Sequence, residues 1–135
     1  MKKIIFSFLG VILALGIFYG CDRQSEQAST DEIKIGVILG FTGPIESLTP
    51  TMASSAELAM KEVSDSGLLL GGASVSSVRA DSTCVDAGAA TSAAERLVTS
   101  DNVAAIMGAD CSGVTTAIAN NVAVPNGVTI ISPSA

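Results

Sequence analysis

The chain has 135 residues, 48% of them apolar, with no histidine, no tryptophan and a formal net charge of −6 at neutral pH. The acidic balance and the lack of a basic patch argue against nucleic acid or anionic lipid as a partner. The missing histidine removes the commonest general base and metal ligand, and with it most support for a metalloenzyme or a serine-histidine-aspartate hydrolase.

Met1-Lys2-Lys3, the apolar run Ile4 to Gly20 and then Cys21 have the layout of an export signal: a basic start, a greasy stretch and a small residue before a cysteine. The segment resembles a bacterial lipoprotein signal, with Phe18 where that pattern usually has leucine. The resemblance implies that residues 1–20 are a signal peptide and that Cys21 becomes the lipidated first residue of an exported, membrane-anchored protein. A retained transmembrane anchor is the other reading, because a run of roughly 17 apolar residues sits at the lower edge of what spans a bilayer. Loss of the first twenty residues takes Lys2 and Lys3 away and moves the formal charge to about −8. Asp22, directly after the cysteine, resembles the retention signal of inner-membrane lipoproteins in two-membrane bacteria. Residues 21–31 are small and polar without apolar period, as in a flexible tether.

From Glu32 the pattern changes. Ile33 to Leu39 is a β-branched run ending in Gly40-Phe41-Thr42-Gly43-Pro44, a strand followed by a turn-rich loop. Thr49-Pro50 reads as an N-cap and first-turn proline. Met52, Ala53, Ala56, Ala59, Met60 and Val63 then recur at helical spacing, with Glu57, Lys61 and Glu62 on the other side, until Ser66-Gly67 stops the helix. Leu68 to Gly72 is a loop, either a core contact or an exposed apolar tip. Ala73 to Asp81 alternates weakly and predicts an edge strand.

Asp86 caps a second predicted helix reaching Val98, whose Ala89, Ala90, Ala93, Ala94 and Leu97 form a small-residue face suited to close packing. Val103 to Met107 is wholly apolar, as in a strand buried on both faces. Gly108-Ala109-Asp110-Cys111-Ser112 breaks it, Thr115 to Val122 supplies a third helix, and Val128 to Ile131 a fourth strand. The alternation predicts an α/β fold with a doubly wound parallel sheet and right-handed crossovers. Ligands of such sheets bind beyond the carboxyl ends of the strands, here the loops 41–50, 81–86, 108–113 and 132–135. Asp81 and Asp110 look like turn and cap residues rather than a catalytic pair.

Three cysteines are an odd number for an exported chain. With Cys21 assigned to lipid, Cys84 and Cys111 remain, either as a disulfide or as two buried thiols.

The run Ile33-Lys34-Ile35-Gly36-Val37-Ile38 with Thr42-Gly43-Pro44, the helix segment Ala56-Glu57-Leu58-Ala59, Asp81, Gly108 and the final Ile130-Ile131-Ser132-Pro133-Ser134-Ala135 are recognisable together. In this order and spacing they resemble the amino-terminal lobe of the periplasmic leucine/isoleucine/valine-binding proteins, the solute receptors of branched-chain amino-acid ABC transporters. The resemblance covers residues 32–135. It implies a type 1 periplasmic-binding-protein-like fold in which 32–135 is an incomplete first lobe, so that the chain reads as a fragment. It also implies a disulfide between the loops after the second and third strands, where Cys84 and Cys111 stand.

In that family the serine after the second cysteine binds the ligand's α-carboxylate, which implies the role for Ser112, with Asp110 and Gly113 beside it as further ligand-binding candidates. A plain N-cap is the alternative for Ser112. The loop after the fourth strand supplies a backbone carbonyl for the ligand ammonium, a role that falls on Ala135. The resemblance thus implies a lipoprotein at the periplasm or cell surface that carries a branched-chain or other small amino-acid or amide-like solute to an ABC permease, with no cofactor, metal or catalysis. Two other classes stay open: the extracytoplasmic domain of a signalling receptor, which needs a retained membrane helix, and a hydrolase on the same sheet. The hydrolase lacks a phosphate-binding glycine loop, a nucleophile elbow and a histidine.

Overall fold

A computed structural model describes residues 31–135. The expected signal peptide, the lipidation site at Cys21 and nearly all of the tether lie outside the described residues. Four parallel strands alternate with helices: β1 (Glu32–Leu39), α1 (Thr49–Ser66), β2 (Ser74–Asp81), α2 (Ala87–Thr99), β3 (Ala105–Gly108), α3 (Ser112–Ile118) and β4 (Thr129–Ile131). A wider, π-type turn at Ala119–Ala123 extends α3. The sheet order is β2-β1-β3-β4, all neighbours parallel. Among the described residues no helix is long and apolar enough to cross a membrane.

Alternation along β1 separates two layers. Val37 and Leu39 point to the side of α1 and bury Ala53, with Met52, Met60 and Phe41 packed around them. Ile38 points to the other side, where Ala90, Ala94 and Leu97 of α2, Ile106, and Val114 and Ile118 of α3 build the larger cluster. A Cβ on Gly36 would stand 2.9 Å from Leu97 Cδ1, so the glycine lets α2 lie close against the sheet. Helix α2 starts where Asp86 accepts the Ala89 N–H at 2.9 Å, as its sequence predicts.

Helix α1 turns Met52, Ala53 and Met60 to the sheet as expected but departs from the expected face elsewhere. Ala59 and Val63 are exposed, whereas Glu57 and Ser64 face inward toward β2. The cause is the polar strand beside it. Arg79 donates to both Glu57 oxygens at 2.7 Å and Ser77 donates at 3.0 Å, while the Ser64 hydroxyl takes the Val75 N–H at 2.8 Å. The same hydroxyl donates back to Met60 O at 2.8 Å within α1, and Arg96 of α2 donates to Arg79 O at 3.5 Å. The outward edge of β2 is therefore engaged at residues 75 and 79 by side chains from both flanking helices.

Thr49 is not a cap. It is fully buried in the first turn of α1 and its hydroxyl donates to Gly40 O at 3.1 Å; Leu48 precedes the helix without a side-chain cap. Leu68 and Leu70 are 86% and 81% exposed, which makes the turn before β2 an apolar tip rather than a core contact.

Candidate functional site

The chain leaves β1 for β2 on one side and returns to β3 on the other, which sets the switch point, where sheets of this kind form their ligand crevice, beyond the carboxyl ends of β1 and β3. Its walls are the loop from Gly40 after β1 and the segment Ala109-Asp110-Cys111 after β3. The loops after β2 and β4 flank them.

Hydrogen bonds tie these loops together. Asp81, at the end of β2, accepts from the Thr42 hydroxyl at 2.6 Å, the Thr42 N–H at 3.3 Å and the Thr83 N–H at 2.8 Å. Burial alone would raise the Asp81 carboxyl, but these bonds, with the Phe41 N–H, outweigh it and hold the group below its ordinary value. Gly43 has φ +96°, and a Cβ there would stand 2.5 Å from Thr83 O, so only glycine brings the two loops this close. Phe41 lies beneath the Arg79 guanidinium, 5.6 Å from ring centre to Cζ. Glu57 beside Arg79 lies below the ordinary carboxylate range, chiefly through its hydrogen bonds from that guanidinium, and Arg79 is raised in turn.

A disulfide joins Cys84 to Cys111 with their Cα atoms 5.3 Å apart. It staples the loop after β2 to the residue that precedes α3. Of the two states left open for these cysteines, the structure has the disulfide. Beyond β4, the Ser132 hydroxyl donates to Ala109 O and the Ser134 hydroxyl to Asp110 O at 2.9 Å.

The residues assigned by resemblance divide into two groups. Ser112 and Gly113 are exposed at the first two positions of α3, where Thr115 N–H is bonded to Cys111 O at 3.0 Å and Cys111 gives no side-chain cap. Ala135 is exposed, and its N–H donates to Ser132 Oγ at 2.8 Å. Asp110 differs from these. It is only 7% exposed, and its carboxylate turns inward to accept the Gly40 N–H at 3.0 and 3.2 Å and the Ser82 hydroxyl at 3.4 Å. Nor is it a helix cap, because Cys111 occupies that position.

Sequence reasoning missed the Thr42–Asp81 bond and the two serines after β4. The Ser-Pro-Ser run signals only the local part, the Ser134 and Ala135 N–H groups from which Ser132 Oγ accepts; the bonds to Ala109 and Asp110 span 23 and 24 residues and leave no local trace.

A second depression, of about 570 Å³, lies between α1 and β2 and is lined by Glu32, Glu57, Met60, Lys61, Ser74 and Ser76. Glu57 is paired with Arg79 and Lys61 with Asp65 at 2.6 Å, so its charges are largely spent within the protein. It also lies away from the switch point of the sheet.

Comparison with known proteins agrees with this geometry. The sequence model of the periplasmic binding protein family matches residues 32–135. The branched-chain amino-acid transporter substrate-binding protein LivJ of Streptococcus pneumoniae, solved with isoleucine, is 32% identical with a TM-score of 0.69; the alignment covers 77% of this chain and 29% of that one. The leucine-binding protein LivK of Thermotoga maritima is 29% identical with a TM-score of 0.65, covering 76% and 27%. A solute-binding protein of Rhodopseudomonas palustris, solved with 3,4-dihydroxybenzoic acid, is 22% identical and has a TM-score of 0.66, covering 77% and 27%, which shows the shared fold. No curated protein matches the sequence. The chain thus spans less than a third of the length of these structures. With its parallel sheet, its switch-point crevice and a family match running from the first strand to the last residue, the chain belongs to the periplasmic binding protein family.

Proposed function

We propose that this chain is the amino-terminal part of a solute-binding lipoprotein that delivers a small carboxylate-bearing solute, most simply a branched-chain amino acid, to an ABC permease. The observation that carries the reading is the switch-point crevice with Ser112 and Gly113 exposed at its rim, at the start of α3. The Ser112 hydroxyl and the first N–H groups of α3 suit the solute's carboxylate, and the backbone of Ala135 suits its ammonium. Isoleucine in LivJ and 3,4-dihydroxybenzoate in the Rhodopseudomonas protein share a carboxylate, the group this rim favours. Residues 1–20 act as the signal, Cys21 carries the lipid and residues 21–31 tether the lobe near its permease outside the cytoplasm. Binding without catalysis fits the crevice, whose carboxylates Asp81 and Asp110 are both engaged with neighbouring loops.

Isothermal titration of the full-length gene product with isoleucine, leucine, valine and 3,4-dihydroxybenzoate tests the proposal. Saturable heat with at least one of them is expected, and its loss in Ser112→Ala supports the assigned rim. Absence of heat with all four overturns the solute reading.

A further inference from the structure

Among the described residues, Asp110 is the one bonded to all three other loops at the carboxyl end of the sheet. Its carboxylate accepts from Gly40 after β1 and Ser82 after β2, and its carbonyl accepts from Ser134 after β4. The next residue, Cys111, adds the covalent link to Cys84, and Ser112 follows. Gly40 and Ser82 are themselves buried, so the carboxylate sits inside the floor of the crevice and does not reach out of it.

A carboxylate is costly to bury unless it accepts hydrogen bonds. An apolar residue would fill this position without that cost, but it would leave the Gly40 N–H and the Ser82 hydroxyl to find other partners. The N–H and hydroxyl groups around it lock the carboxylate, and the carboxylate fixes the distance between the β1 loop and the start of α3.

We infer that Asp110 is a positioning residue: its buried carboxylate clamps Gly40 and Ser82 and thereby sets the crevice floor from which Ser112 meets a solute. This deepens the solute-binding reading and rests on it. Without the clamp the β1 loop and the α3 start sample separate positions. The apparent affinity then falls by the fraction of molecules still holding the competent geometry.

The Asp110→Asn side chain keeps one acceptor for Gly40 and can donate from Nδ2 to Ser82 Oγ, whereas Asp110→Ala keeps neither bond. Titration of the full chain with isoleucine, well below the melting temperature of each variant, is expected to give a Kd about tenfold weaker for Asp110→Ala and within about twofold of wild type for Asp110→Asn. Amide hydrogen exchange at Gly40 gives a readout that needs no ligand: slow in wild type and Asp110→Asn, fast in Asp110→Ala. Should Asp110→Ala fail to fold, Ser82→Ala removes one arm of the clamp and is expected to speed exchange at Gly40 and to weaken isoleucine binding about threefold.

Wild-type affinity in Asp110→Ala, or equal loss in Asp110→Asn and Asp110→Ala, overturns the inference. If wild type gives no heat with isoleucine, leucine, valine or 3,4-dihydroxybenzoate, the solute reading fails at that point. The Gly40 exchange then decides the clamp by itself, unchanged exchange in Asp110→Ala or Ser82→Ala refuting it.

Discussion

Breaking the Cys84–Cys111 disulfide has an effect whose size follows from chain length. The two residues are 27 positions apart. In the chain-entropy description, opening a loop of that length returns about 12 cal/mol/K to the unfolded chain, or about 3.5 kcal/mol at 25 °C. A domain of this size is stable by only about 5–15 kcal/mol, so the loss is a quarter to more than half of the total. At about 4–8 °C per kcal/mol, the melting temperature of residues 32–135 should drop by about 14–28 °C. The chain has no tryptophan, so circular dichroism at helix wavelengths is the suitable probe. Melts would be recorded for the oxidised protein, for the reduced and alkylated protein, and for Cys84→Ser with Cys111→Ser. Agreement of the last two and a large drop from the first are expected. A reduced, fully alkylated protein melting within about 3 °C of the oxidised one would refute the reasoning, since a loop closure of this length cannot be that nearly neutral unless the unfolded chain already holds the two loops together.

Gly108→Ala should cost about 2–4 kcal/mol, because its φ of +132° disfavours any side chain and a Cβ there would overlap Ile38 O and stand 2.8 Å from Ile38 Cγ2; an unchanged urea midpoint would show that the floor beneath the crevice yields. The Asp81 carboxyl is held below its ordinary 3.8, so the stability it contributes is present above that value and is lost as pH falls through its lower folded value. Urea melts of wild type and Asp81→Asn should therefore run parallel above about pH 5 and converge below about pH 4, and curves that stay parallel into strong acid would contradict the Thr42–Asp81 tie.

The elements that are legible in sequence are those whose signal is local. The apolar run of β1, the Asp86 cap and the small-residue face of α2 each depend on near neighbours, and the low apolar content of β2 correctly marks an edge strand. Thr49 misleads because its cap-like setting before a proline is local too, whereas its hydroxyl is claimed by a carbonyl at the end of β1. The face of α1 is misjudged at Glu57, Ala59 and Val63 for a similar reason. Periodicity ranks residues by apolarity, but the strand that α1 meets offers Ser77 and Arg79, which draw Glu57 inward. Asp110 is the extreme case: its partner Gly40 is 70 residues away, and no spacing rule connects a turn-like Gly-Ala-Asp to that distant glycine. The loops that carry the site are legible, because their place beyond the carboxyl ends of the strands follows from the alternation of strands and helices, whereas the strand order that sets the switch point does not.

The two rims of the sheet are unequally defended. On the β2 side Ser64 and Arg96 occupy backbone groups at Val75 and Arg79 that another strand would need, so a second molecule finds its docking positions already taken. On the β4 side Ile131 is 67% exposed, and β3 is the strand's only neighbour among the described residues. Strand-to-strand recruitment is consequently a one-sided process in this molecule: whatever extends the sheet, whether further chain, a second copy or a growing aggregate, has its open seat beside Thr129-Ile130-Ile131.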